Sequence, residues 1–371
     1  MKILQINKLY YPVIGGIETI VKNIAENLSD GHEFMVDVLA CQEKGPRLIE
    51  DINNVKIYKA ASWGKKLGMP LSLDFFKLFF KIRKDYNFFI IHYPFPLASF
   101  LSFLIPKNKL IIYYHSDIVR QKIAVLPFSP FIAYSLNKAK IIFVASNNLI
   151  KSSKSLNIRK NKCHFLPFGL DIEYSEDDKI EAKYIKNKYS PQSPLLLAVG
   201  RLVYYKGFEY SIEVMPSVSA KLLIIGSGPE EEYFKKKINQ LGVQNKVEII
   251  PAQKNLKPFF LACDIFLFPS VARSEAFGLV QLEAMAAGKP VINTRLGTGV
   301  EEVSINKETG ITINPKNTIE LQDAINLLIE NNDLKIRLGE NAKKRYLNNY
   351  TLFSFVKNFK EILLNMTKNN D

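Results

Sequence analysis

The chain has 371 residues, 47% of them hydrophobic and 23% charged, which suits two ordinary globular domains and leaves no room for a long disordered tail. Cys41, Cys163 and Cys263 are widely spaced, with no C-x-x-C pair and no disulfide framework, so a reducing compartment is expected; four scattered histidines offer no metal cluster. The net charge of +14 is uneven: residues 1–174 hold 24 Lys and Arg against 13 Asp and Glu. That asymmetry predicts an anionic partner (nucleic acid, a phosphorylated lipid or an anionic membrane surface) unless the chain is merely rich in lysine.

In chain order, Met1–Lys8 is too short and polar for a signal peptide and reads as a buried first strand. Gly15-Gly16 then leads into a helix over Ile17–Leu28. Further strands are expected at Met35–Ala40 and Val55–Tyr58. Leu71–Lys84 sets Phe75, Phe76, Phe79 and Phe80 at helical spacing among lysines, just after Trp63, Lys65 and Lys66. Two readings fit: a helix lying in an anionic bilayer interface, or one whose Phe stripe packs on its own domain. Tyr86–Pro106 carries no charge and is long enough for a bilayer. Pro94 and Pro96 interrupt it, so strand Phe88–Tyr93, a turn and helix Leu97–Ile105 is preferred. Strands Leu110–Tyr114 and Ile141–Ala145 follow.

Ile172–Pro194 is charged and lacks an apolar period, which marks it as the boundary between domains at 1–172 and 192–349. The second half expects strands at Leu195–Val199, Lys221–Ile225, Val247–Ile250, Ile265–Phe268, Val291–Asn293 and Gly310–Ile313. Helical patterns such as Glu230–Leu241 lie between them. Residues 350–371 close the chain, with one helix over Thr351–Met366. Alternating strands and helices predict an α/β protein of two doubly wound parallel sheets, with ligands at the carboxyl ends of the strands.

The groups suited to chemistry fall at those ends. Arg201 and Lys206 follow strand Leu195–Val199 and can face a diphosphate, Arg as a fork and Lys as a point charge. Ser274–Ala284 holds Glu275 and Glu283 eight positions apart, with Phe277-Gly278-Leu279 read as a helix start between them. On one helix the two carboxylates would stand roughly 12 Å apart, about the reach of a nucleotide sugar. Helix-start amides there, and at Gly15-Gly16, suit anions. His115 follows a strand beside Ser116 and Asp117. Gly226-Ser-Gly228 has the look of a dinucleotide fingerprint, but Glu231 replaces its third glycine.

Five motifs in order, over residues 10 to 350, resemble the retaining family-4 glycosyltransferases, the glycosyl transferases of group 1. They are Gly15-Gly16-Ile17-Glu18, His115, Pro167-Phe168-Gly169-Leu170-Asp171, Gly200-Arg201 with Lys206-Gly207, and Glu275-x7-Glu283. Phe168 stands where the family has Asn. Pro251 and Ala252 stand where it often has glycine near the nucleobase, which leaves the base open. The resemblance implies a GT-B fold, two Rossmann-like domains facing across a cleft, the first binding acceptor and the second the nucleotide sugar. It also implies that the last helix returns to the first domain.

Catalytic roles then fall to His115, Glu275, Arg201 and Lys206. Donor binding falls to Gly15, Gly16, Arg201, Lys206, Glu275, Phe277, Gly278, Leu279 and Glu283, and acceptor binding to Glu18 and Asp117. The implied reaction is metal-independent, cofactor-free hexosyl transfer with retention. The run His115 to Lys122 is similar to that of O-antigen mannosyltransferases, which places GDP-mannose ahead of UDP-glucose, UDP-galactose and UDP-N-acetylglucosamine. A polyprenyl-diphosphate-linked glycan in O-antigen or capsule assembly is the expected acceptor, with the chain cytoplasmic and peripheral at the inner membrane face. A nucleotide-sugar epimerase of related fold and a basic-face nucleic-acid binder are the rival readings.

Overall fold

The computed structural model describes residues 1–13, 15–29, 32–66, 68–118 and 126–368, with no side chains for 367 and 368. The chain divides into two compact units: Met1–Phe168 with Leu352–Asp371, and Gly169–Thr351.

In the first unit, besides a short antiparallel ribbon of Lys65–Lys66 with Met69–Pro70, the strands are β1 (Lys2–Ile6), β2 (Met35–Cys41), β3 (Leu48–Ile52), β4 (Val55–Ala60), β5 (Phe88–Tyr93), β6 (Leu110–Tyr114), β7 (Ile141–Val144) and β8 (Cys163–Phe165). They form one sheet in the order β8-β7-β6-β5-β1-β2-β4-β3, parallel throughout except between β3 and β4. β1 lies at the centre, with Ile3 opposite Val36 on β2 and Phe88 on β5. Helix α1 (Gly16–Leu28) follows β1 and buries Ile20, Val21, Ile24, Ala25 and Leu28.

A central parallel strand is covered on both faces, so it reads as an unbroken apolar run. β5 is buried at all six positions, which explains the membrane-like composition of Tyr86–Pro106. No helix among the described residues is long and apolar enough to cross a membrane. After β5, Pro96–Phe103 forms a 3-10 helix where an α-helix was expected. Pro94 and Pro96 constrain its entry, and the turn closes through i→i+3 bonds such as Ala98 N–H to Phe95 O, 3.0 Å.

Helix α2 (Asp74–Ile82) resolves the Phe stripe. Phe75 and Phe79 are buried with Leu78 and Ile82. The Phe79 ring lies 5.7 Å from Phe89, and Phe75 lies 5.3 Å from Phe95. That face is already covered by the protein's own core. Phe80 and Trp63 point elsewhere and are 51% and 70% exposed.

The second unit holds β9 (Leu195–Val199), β10 (Lys221–Ile225), β11 (Val247–Ile250), β12 (Ile265–Phe268), β13 (Val291–Thr294) and β14 (Gly310–Ile313). Their sheet is parallel, in the order β11-β10-β9-β12-β13-β14. The expected linker is mostly helix here: α3 (Glu176–Tyr189) belongs to this unit. A Ser175–Asp178 capping box starts it, and three acidic residues occupy its first turn. It buries only Asp178, Ala182 and Ile185, too few for an apolar period to show in the sequence. Lys186 on α3 pairs with Asp264 at 2.6 Å. Helix α4 (Val280–Ala286) follows β12, and α5 (Leu352–Lys368) ends the chain within the first unit. Phe355, Phe359 and Leu363 of α5 are buried, and Phe359 sits 5.0 Å from Phe143 of β7.

The two faces of α2 should separate in denaturant unfolding. Phe79→Ala is expected to cost about 3–5 kcal/mol through a core cavity, and Phe80→Ser less than about 0.5 kcal/mol. Equal, small losses would show that the stripe is not core.

Candidate functional site

In the second unit, β9 runs out at Val199 into Gly200-Arg201. The Gly226-Ser-Gly228 turn after β10 packs directly on this loop. A Cβ on Gly226 would overlap the Gly200 carbonyl, and one on Gly228 the Leu202 carbonyl. Main-chain bonds join the two turns: Leu202 N–H to Ser227 O at 2.9 Å and Glu230 N–H to Leu202 O at 3.1 Å. These glycines therefore frame the Arg201 loop, and their likeness to a dinucleotide fingerprint is a by-product of that packing. Arg201 itself is exposed.

Lys206 ends the 3-10 turn Tyr204–Lys206, which Gly207 closes at φ 67°. A side chain at Gly207 would strike the Pro269 carbonyl. The close approach brings Lys206 Nζ to 2.6 Å from Glu275 Oε2, with the two side chains only 13% and 12% exposed. Nζ also lies 5.1 Å from the Phe268 ring centroid. With little solvent to screen it, the pair holds both groups in a fixed geometry.

The two carboxylates do not share a helix. Gly278 sits at φ 77°, where a Cβ would come within 2.7 Å of the Phe268 ring, so α4 starts only at Val280. Glu283 is on α4, whereas Glu275 lies on the loop before it, and the separation expected from helical rise does not apply. Phe277 is buried 6.1 Å from Tyr350, and its carbonyl accepts from Gln281 Nε2 at 3.1 Å. The amides of Gly278 and Leu279 find no acceptor among the described residues.

Glu283 is largely desolvated. Its backbone carbonyl accepts from the Tyr174 hydroxyl at 2.8 Å. Its carboxyl group has no hydrogen-bond partner among the described residues, and burial pushes its pKa up to about 7. An acceptor this poorly solvated is suited to ligand hydroxyls. Past β11, Gln253 donates to the Pro251 carbonyl at 2.8 Å in an exposed turn.

In the first unit, Gly15 caps α1 with extended backbone and no side-chain cap, and Gly16 opens the helix. The Glu18 side chain folds back into the space that a Gly15 Cβ would fill. His115 follows β6, its N–H bonded to Tyr93 O at 2.9 Å. Its ring is stacked 4.8 Å from Tyr113 and 5.4 Å from Phe168. Phe168, the departure from the family's Asn, thus supplies one wall of the histidine's pocket.

Asp117 does not orient His115. It accepts from Tyr114 Oη and Ser153 Oγ, both at 2.6 Å. The partner of His115 is His92 on β5, Nδ1 to Nε2 at 2.8 Å, and His92 Nε2 meets Gln5 Oε1 at 2.8 Å. Sequence reasoning missed both Gln5 and His92; polar residues in the middle of central strands were the available signal. Burial lowers both imidazole pKa values, that of His92 to about 3, so both rings are neutral at pH 7. Of the run His115–Lys122, residues 119–122 lie outside the described residues.

Glu283 makes a testable demand on stability. Its folded pKa lies above the unfolded value of 4.5, so ionisation disfavours the fold as pH rises from 4.5 through 7. Glu283→Gln should raise unfolding stability by about 3 kcal/mol at pH 8 and by nothing near pH 4. A pH-independent difference between the two proteins would contradict the desolvation.

The chain is similar to known proteins along nearly its whole length. The family model described as glycosyltransferase family 4 matches residues 14–174, and that described as glycosyl transferases group 1 matches residues 179–345. The O-antigen chain mannosyltransferase C of Escherichia coli is 30% identical over 363 residues, 95% of each chain. The D-rhamnosyltransferase of Pseudomonas aeruginosa is 27% identical, covering 95% of this chain and 92% of its own. Among solved structures, Anabaena HepE in complex with UDP and glucose superposes with a TM-score of 0.76 at 20% identity, over 98% of this chain and 100% of its own. Two family models in tandem and a relative matched from end to end show that the chain belongs to the family-4, group 1 glycosyltransferases and has their GT-B fold.

Proposed function

We propose that the chain transfers a mannosyl group from GDP-mannose to a hydroxyl of a lipid-linked glycan in bacterial O-antigen or capsule synthesis, with retention at the anomeric carbon. The observation that carries this reading is the set of groups around α4 left unsatisfied among the described residues: a desolvated Glu283 carboxyl without a partner and the amides of Gly278 and Leu279 without acceptors. Glu283 is assigned to the ribose hydroxyls. Glu275 is assigned to hydroxyls of the sugar, and the free amides, with Phe277, to sugar and phosphate. The similarity to an O-antigen mannosyltransferase supports the sugar and the class of acceptor.

In this reading the anomeric carbon–oxygen bond to the diphosphate breaks as the acceptor oxygen bonds to the same face. The acceptor proton passes to the departing phosphate oxygen. Arg201 and Lys206 offset the charge that grows on the diphosphate, a role that needs no metal. Gly15 and Gly16 are assigned to the diphosphate, Glu18 and Asp117 to the acceptor, and His115 to a substrate hydroxyl. Exposed Trp63 and Phe80, with Lys65, Lys66, Lys81 and Lys84, support peripheral attachment to an anionic membrane.

A second reading keeps the site and changes the sugar to D-rhamnose, which lacks the 6-hydroxyl of mannose; the Pseudomonas relative favours it. Thermal shifts with GDP, UDP and their sugars decide the donor, because a ligand of the folded state at a hundred times its Kd adds about 2.7 kcal/mol. GDP-mannose is expected to stabilise the wild type and not Glu283→Ala. Stabilisation by UDP species alone would replace the donor, and no shift at millimolar nucleotide would sink the transferase reading. Arg201→Ala should lower kcat about 100-fold or more. NMR of the product should show the anomeric configuration of the donor.

A further inference from the structure

Two of the four histidines are buried side by side in the first unit, and a hydrogen-bond chain joins them to a main-chain carbonyl. Gln5 Nε2 donates to Val21 O on α1 at 3.0 Å. A backbone carbonyl can only accept, so this bond sets which end of the Gln5 amide faces the histidines. Gln5 Oε1 therefore meets His92 Nε2 at 2.8 Å, and His92 Nε2 must carry the proton.

A neutral imidazole has one N–H, which leaves a lone pair on His92 Nδ1. That lone pair lies 2.8 Å from His115 Nε2, so the single proton of His115 is on Nε2. His115 Nδ1 is left with a lone pair and no partner among the described residues. Tyr113, stacked on both rings, and Phe168, stacked on His115, hold them in plane.

The chain cannot be reversed at one link. Moving the His115 proton to Nδ1 sets two lone pairs against each other, unless His92 and then Gln5 also turn over. Turning Gln5 would press its oxygen onto the Val21 carbonyl. Each mismatched buried polar group carries a desolvation penalty, and the mismatch cannot be passed beyond a backbone atom.

We propose that Gln5 and His92 are positioning residues that lock His115 as its Nε2–H tautomer, so that His115 meets substrate as a hydrogen-bond acceptor at Nδ1, for a sugar hydroxyl, and not as a donor to phosphate. What Nδ1 meets rests on the transferase reading; the locked tautomer does not. A bare lone pair at Nδ1 would repel phosphate oxygens and select a hydroxyl. A neutral His115 with its proton on Nδ1 would need the chain to run the other way, and an imidazolium, which would leave the chain intact, is disfavoured by burial.

The test is long-range 1H–15N NMR of the intact, 15N-labelled protein, in which only His32, His92, His115 and His164 contribute imidazole signals. His115 should show a protonated, pyrrole-type Nε2 and a pyridine-type Nδ1, and His92 the same. A protonated Nδ1 on His115, or averaging between tautomers, overturns the proposal. This readout needs no variant, so it stands even if a substitution fails to fold.

Turnover adds a second arm. His92→Phe keeps an aromatic ring and removes the acceptor, while His92→Asn keeps an acceptor oxygen near the place of Nδ1. His92→Phe should lower kcat about tenfold, the scale of one unpaired buried donor, with donor KM essentially unchanged. His92→Asn should recover most of that loss. Equal loss in both variants, or a change confined to KM, would mean that His92 only fills space. If no nucleotide sugar turns over at all, the transferase reading fails while the NMR result still decides the tautomer.

Discussion

A parallel strand buried on both faces has nowhere to put a charge except beyond its end, and that constraint organises each sheet of this chain. β5, β6, β9 and β12 are buried from end to end. Their side chains are spent on packing, and the polar chemistry is displaced to the turns that follow: His115 after β6, Arg201 and Lys206 after β9, Glu275 after β12. The turns can lie that close to the sheet because Gly207, Gly226 and Gly278 admit backbone or ring atoms where a Cβ would stand.

The groups so displaced are poorly satisfied without ligand. Among the described residues, the Glu283 carboxyl lacks a partner, the Gly278 and Leu279 amides lack acceptors, and His115 keeps a bare lone pair. Lys206 and Glu275 differ, since each occupies the other. A ligand bound at that pair, as proposed, would exchange one ionic contact for another, so its gain would be a difference between two strong terms. At Glu283 and the amides of Gly278 and Leu279 the proposed gain would be undivided, because no contact among the described residues has to be released first. The same imbalance disfavours the ligand-free fold, as expected where binding groups are held ready in place.

Much of the fold was legible because apolar runs bounded by turn residues map directly onto parallel strands, as all six strands of the second unit illustrate. What escaped were elements whose signals are not apolar. β3 is a half-exposed edge strand carrying Glu50 and Asp51, and only the Asn53-Asn54 turn, with φ 51° and 63°, hinted at its hairpin. α3 buries too little to show a period. At the site, the residue types at Glu275, Glu283, Arg201 and Lys206 could be read from spacing. Their geometry could not, because a single left-handed glycine moved the helix start past Glu275. The Gln5–His92–His115 chain joins residues 87 and 23 positions apart and leaves no local trace in sequence.

The placement of α5 also bears on synthesis. The second unit is one continuous stretch, Gly169–Thr351, whereas the first needs the last helix of the chain to finish its core. Phe355, Phe359 and Leu363 supply side chains that nothing earlier in the sequence replaces. A ribosome therefore delivers every residue of the second unit before the first can be completed. Until then the surface of Phe143 and Tyr113 that Phe359 covers is left uncovered. A nascent chain in that state exposes apolar surface beside a strongly basic domain, the kind of intermediate that chaperones hold.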